Sequence, residues 1–161
     1  MDRKKNDRRM LLVGLLIVVS VFLVYQKVQT FDFVNIDDDV YAYRNEHVAT
    51  GLSGENVVWA FTTTYAGFWH PMTWMSLMLD YELYGMNPGG YHITNVVIHG
   101  INAVLLFVLL HLMTGAFWRS ALVALLFALH PLHVESVAWI SQRKDVLSTL
   151  FWMLTMAAYV Y

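Results

Sequence analysis

Two clusters of side chains could carry chemistry. Asp37, Asp38 and Asp39 stand side by side within residues 31–43, FDFVNIDDDVYAY. The second cluster is the run HPLHVESVAWISQRKD at residues 130–145, with His130, His133, Glu135, Arg143, Lys144 and Asp145. Adjacent carboxylates repel by about 4 kcal/mol at roughly 4 Å and an effective dielectric near 20. Water, a helix N-terminus, a cation or a reaction that uses the charge must offset this. The ordinary local answer is a helix through residues 40–47, with Asp37 or Asp38 as N-cap and its neighbours as first-turn acids. A divalent cation such as Mg or Mn, shared through oxygen ligands, is another answer. At the second cluster, an Arg143 fork can hold a phosphate bidentately and Lys144 adds a point charge. The alternatives there are two snorkelling interface residues or a salt bridge to Asp145. Together the clusters suit a transfer in which a carboxylate takes a proton from an acceptor hydroxyl while cations offset the charge on a departing phosphate.

The histidines form a separate set. His92 and His99 lie two turns apart on one helix face, roughly 10 Å along the axis. His111, His130 and His133 complete it. A bis-His b-type haem between membrane helices is one use of such residues, and hydrogen bonding between helices is the commoner one. The His130–His133 spacing names no metal, and no metal ligand set is assigned.

These residues need elements to hold them, and the composition says which. Apolar residues make up 58% of the 161-residue chain and charged residues 14%, against roughly 25% charged in soluble domains. The charges are segregated, which is the pattern of a polytopic membrane protein. With no cysteine, disulfides, zinc–thiolate sites and cysteine nucleophiles are excluded. The basic residues are scattered beyond the N-terminus, so no nucleic-acid footprint is present.

The chain therefore reads as all-α, with about four transmembrane helices. Residues 1–9 are a cytoplasmic basic tip with Arg3, Lys4, Lys5, Arg8 and Arg9, and the positive-inside bias places the N-terminus in the cytoplasm. Residues 10–25 form the first span, an uncleaved signal anchor. Residues 26–90 are then an extracytoplasmic acidic loop carrying short interfacial helices, one starting at Ser53-Gly54-Glu55. Residues 72–79 are apolar but too short to span. After the turn signal Asn87-Pro88-Gly89-Gly90, residues 91–113 form the second span and 116–130 a third, short one. Residues 131–144 return outside, and 145–161 begin a fourth helix in which the chain is expected to be truncated. Arg143 and Lys144 on the outer side run against the charge bias.

Two runs resemble a known family. They are the GxxPxxYHxxNxxxH pattern from Gly85 to His99 and the HPxHxExVAWxxxRxD pattern from His130 to Asp145. With the acidic run they resemble the N-terminal part of the membrane-embedded C-type (GT-C) glycosyltransferases. The resemblance is closest to the transmembrane and tetratricopeptide-repeat O-mannosyltransferase family and its bacterial relatives. It implies a polyprenyl-phosphate sugar donor, inversion at the anomeric carbon, and a protein Ser/Thr hydroxyl or a glycan as acceptor. It also implies Asp38 as general base with Asp39 assisting, and Asp37 in support. Arg143 and Lys144 would lie at the donor phosphate, supported by Glu135, Asp145 and His133. The implied setting is a bacterial inner membrane or the endoplasmic reticulum. Full members carry many more membrane helices and usually a tetratricopeptide array, so this chain would be an incomplete module. The competing readings are a non-enzymatic membrane interaction subunit and a bis-His membrane cytochrome.

Overall fold

The computed structural model describes residues 3–160, and among them the chain is all-α. The first helix, α1, covers Arg3–Tyr25 and runs on through a tight turn at Val28–Thr30. α2 is Gly54–Thr62, α3 is Pro71–Tyr84 and α4 is Pro88–Thr114. α5 is Phe117–Leu129, α6 the short Val134–Ala138 and α7 Arg143–Val160. Two segments are long and apolar enough to cross a membrane, Asn6–Thr30 and Pro88–Thr114. Phe117–Leu129 joined to Pro131–Ala138 makes a third if the pair, bent by 49°, counts as one span. The bend sits at Pro131, which cannot donate a backbone hydrogen bond. The 18-residue α7 opens on Arg143, Lys144 and Asp145, which shortens its apolar part. The chain is thus the all-α polytopic membrane protein that the charge segregation implied.

The 27-residue α4 is the central post. It packs against α1, α5 and α7. α1 meets it through Ile17, Val21 and Tyr25, all buried. These residues recur every four positions and so share one face. Leu11, Leu12, Leu15, Leu16 and Leu23 point the other way and are exposed, as a lipid-facing stripe must be.

Residues 26–90 are not a loose loop. They fold as a cap over the N-terminal end of α4, around a second apolar cluster of Tyr41, Val48, Ala60, Trp74, Leu77, Met78, Tyr91 and Ile140. Tyr41 stacks on Trp74 with ring centroids 4.9 Å apart. α2 starts where the sequence signals it: Ser53 caps by accepting from the Asn56 N–H at 3.1 Å. α3 has Pro71 in its first turn and ends on Gly85 at φ 61°, a backbone state natural to glycine. The Asn87 side chain accepts from the Gly89 N–H and caps α4.

Gly89 has a further reason to be glycine. A Cβ there would press on the backbone carbonyl oxygen of Gln29, which cannot swing aside as a side chain can. Gly89→Ala is therefore expected to separate α4 from the Val28–Thr30 turn and lower thermal stability by about 1–3 kcal/mol, the usual cost of overpacking. A melting temperature equal to the parent's in detergent would refute that contact.

Candidate functional site

The three adjacent aspartates avoid one another by going to different places. Asp37 sits at φ 68°, a left-handed state that aspartate tolerates better than most residues. It is exposed to water, while Asp38 turns inward and is fully buried. One Asp38 oxygen accepts the Val34 N–H at 2.9 Å. The other accepts the Ser141 N–H at 3.0 Å and also the Ser141 hydroxyl. Asp39 opens a wide helical turn, Asp39–Tyr43, closed by the Arg44 N–H to its carbonyl at 2.9 Å. Its half-buried carboxylate meets the Arg44 guanidinium at 3.4 Å.

The capping expectation gives way here. Asp38 stands at the N-cap position of that turn, yet its side chain makes no capping bond. Its oxygens hold Val34 and Ser141 instead. Through Ser141 the acidic segment is fastened to the stretch carrying Arg143 and Lys144, so the two sequence clusters lie at one end of the bundle.

Arg143 is not available as a phosphate fork. It is 0% exposed. Its Nη2 reaches Asp80 Oδ2 at 2.5 Å and the Tyr91 carbonyl at 2.8 Å. Its Nε donates to Asn95 Oδ1, and Nη1 lies 3.4 Å from Ser76 Oγ. The partner is Asp80, not Asp145. The physical reason is position: as the first residue of α7, Arg143 enters the gap between α3 and α4, where only paired charge is tolerated. Burial pushes the Asp80 carboxyl up, against the pull of Arg143 and of the Thr94 hydroxyl, which donates to it at 2.7 Å.

Lys144 stays outside that buried ion pair. It is half-buried and donates to Gln142 Oε1. With Asp145 it borders a largely apolar groove of about 580 Å³ between the α2–α3 segment and α7, walled by Phe61, Phe68, Trp69, Met72, Leu147 and Phe151. His70 lies on the same wall. Burial pushes its imidazole down, and Lys144 adds to that. Its Nε2 is buried without a hydrogen-bond partner among the described residues. Glu135 is exposed in the first turn of α6. His133 packs on Phe127 and His99, with ring centroids 4.5 and 5.5 Å away. Neither Glu135 nor His133 borders the groove.

The remaining histidines have protein surroundings. His99 Nε2 lies 3.0 Å from the Ala128 carbonyl, and the buried His92 ring meets Phe31 edge-on at 6.0 Å. Among the described residues no three His, Asp or Glu side chains gather as a metal site.

Sequence reasoning missed Asp80, Asn95 and Ser141. Asp80 did carry a signal: an acid ending the apolar run at residues 72–79, with Glu82 beside it and no lysine or arginine near it in sequence. Together with an arginine on the wrong side of the charge bias, it called for a buried partner.

No family model matches the chain, and no solved structure matches it. Several curated proteins do. Protein O-mannosyl-transferase TMTC2 of Homo sapiens is 32% identical over 108 residues, covering 65% of this chain and 13% of the relative. Protein O-mannosyl-transferase Tmtc1 of Drosophila melanogaster is 33% identical over 93 residues, 58% of this chain and 11% of the relative. TMTC4 of Mus musculus is 30% identical over 105 residues, 56% of this chain and 14% of the relative. The chain thus spans about one-eighth of the length of the curated relatives it matches. By sequence it is related to the TMTC protein O-mannosyl-transferases.

Proposed function

We propose that this chain is the donor-holding module of a membrane glycosyltransferase of the O-mannosyltransferase kind. The observation that carries the reading is the Asp38–Ser141 clamp. It gathers a carboxylate segment, Lys144 and an apolar groove at one end of the bundle. The groove suits the isoprenoid tail of a polyprenyl-phosphate sugar, with Lys144 at its polar edge beside the phosphate. The site faces the extracytoplasmic leaflet, with the N-terminus in the cytoplasm, in a bacterial inner membrane or the endoplasmic reticulum.

In the transfer, an acceptor hydroxyl on a protein Ser/Thr or a glycan loses its proton to a carboxylate and attacks the anomeric carbon. The bond from that carbon to the phosphate oxygen breaks, and Lys144 offsets the charge left on the polyprenyl phosphate. Asp38 is fully buried and both of its oxygens already accept hydrogen bonds, from Val34 and Ser141, which keeps it out of reach of an acceptor hydroxyl. We assign the proton to Asp39, which is only half-buried, and give Asp38 the positioning role.

The test is sugar transfer by the intact protein in membranes, using labelled polyprenyl-phosphate mannose. Lys144→Ala is expected to raise the donor requirement about 10- to 100-fold, in line with about 1.5–3 kcal/mol for a charged hydrogen bond, with a smaller loss at saturating donor. An unchanged donor requirement would remove Lys144 from the donor site. Absence of transfer from any polyprenyl-phosphate sugar would favour a non-enzymatic subunit.

A further inference from the structure

A small cavity lies where α4, α6 and α7 meet, away from the groove. Its volume is about 40 Å³ and its polar lining comprises His99, Asn102, His133, Ser136, Asp145 and Thr149. That is room for an occupant of water size or a little more.

Most of these groups have already donated their protons elsewhere. Asn102 Nδ2 donates to the Val146 carbonyl at 2.8 Å. A carbonyl only accepts, so this bond fixes the amide orientation and leaves Oδ1 towards the cavity. That oxygen is buried with no partner, on a residue 1% exposed. The Thr149 hydroxyl donates to the Asp145 carbonyl at 2.8 Å, and the Ser136 hydroxyl to Asp145 Oδ2 at 3.3 Å. His99 Nε2 faces the Ala128 carbonyl, so the neutral ring keeps its lone pair on Nδ1. Apart from the His133 ring, which carries one N–H, and the second amide proton of Asn102, the polar lining presents acceptors. Its one carboxylate is Asp145, in the first turn of α7. No lysine or arginine borders it.

A water molecule donates two hydrogen bonds and would leave several of these acceptors unpaired. A cation satisfies all of them at once. A single carboxylate balances a single positive charge, whereas divalent sites collect more. We propose that this cavity binds a small monovalent cation of the sodium class, held by Asn102 Oδ1, the Asp145 carboxylate and the hydroxyl oxygens of Ser136 and Thr149. The bound ion ties α4 to α7 and α6 at their meeting point, and this assignment is independent of the sugar-transfer reading.

The test is thermal unfolding of the intact protein in detergent, in NaCl and in choline chloride at matched ionic strength. Sodium is expected to raise the melting temperature in a saturable way, and choline is not. Thr149→Val keeps the side-chain shape and removes one ligand; it is expected to move the sodium midpoint at least tenfold higher. Asn102→Leu is expected to abolish the response. Because Asn102→Leu also removes the bond to Val146 and can unfold the protein, Thr149→Val is the deciding variant, with Thr155→Val at an exposed position of α7 as its control. An equal response to sodium and choline overturns the proposal. So does a sodium midpoint unchanged in Thr149→Val, or stabilisation by micromolar Mn²⁺ with none by sodium.

Discussion

Asp39→Asn in the intact protein is expected to lower sugar transfer by about 10²- to 10⁴-fold, the usual contribution of a general base, at a membrane yield equal to the parent's. The yield should hold because this half-buried carboxylate makes, among the described residues, only a long ion pair of 3.4 Å to the exposed Arg44. Such exposed pairs contribute little to stability. Asp38→Asn should behave differently. An amide keeps one acceptor oxygen but turns an NH₂ toward either the Val34 N–H or the Ser141 donors, leaving like dipoles facing in a buried place. Yield and transfer should then fall together. Transfer assays paired with quantified membrane protein separate the two cases. Full transfer by Asp39→Asn would exclude Asp39 as the base and leave the acidic segment as a clamp alone.

Asp80→Asn is expected to be the most destabilising of the conservative replacements, by about 3–5 kcal/mol, because it leaves Arg143 buried without its counter-charge. For a chain of this size that corresponds to a melting temperature lower by roughly 6–20 °C. Arg143 is held by α3 through Asp80 and by α4 through Asn95 and the Tyr91 carbonyl, so the loss should loosen the start of α7 and displace Lys144 with it. Thermal unfolding in detergent checks the magnitude, and a shift under about 2 °C would contradict the pairing. Replacing both partners by apolar residues of similar volume should recover part of the loss, since apolar substitution of a buried pair is often tolerated.

Charge segregation and apolar run length announced α1 and α4. The Ser-Gly-Glu signal announced α2, and the Asn-Pro-Gly-Gly turn separated α3 from α4. These features are local, and local sequence carries them. The fate of the charged residues is not local. Asp38, Asp80 and Arg143 each find partners at least 63 residues away, apart from the Val34 contact of Asp38, the Thr94 contact of Asp80 and the Arg143 contacts within α4. Spacing along the chain says nothing about such encounters. Arg143 and Lys144 look alike in sequence, and one position along a helix start sends the first into the protein and the second to the groove. Likewise Asp37, Asp38 and Asp39 are indistinguishable until the backbone turn at Asp37 faces them in different directions.

The bond between Asp38 and Ser141 joins positions 103 residues apart. A ribosome adding about 5–20 residues per second needs roughly 5–20 s to cover that interval. Throughout it, the aspartate segment lacks this anchor point, and both of its neighbouring hydrophobic helices have been synthesised before the anchor exists. The cap over the bundle is thus the last part of this unit to be locked during biogenesis. A ribosome stalled shortly before residue 141 would leave an inserted but uncapped intermediate, open to proteases on the side where the acidic segment lies.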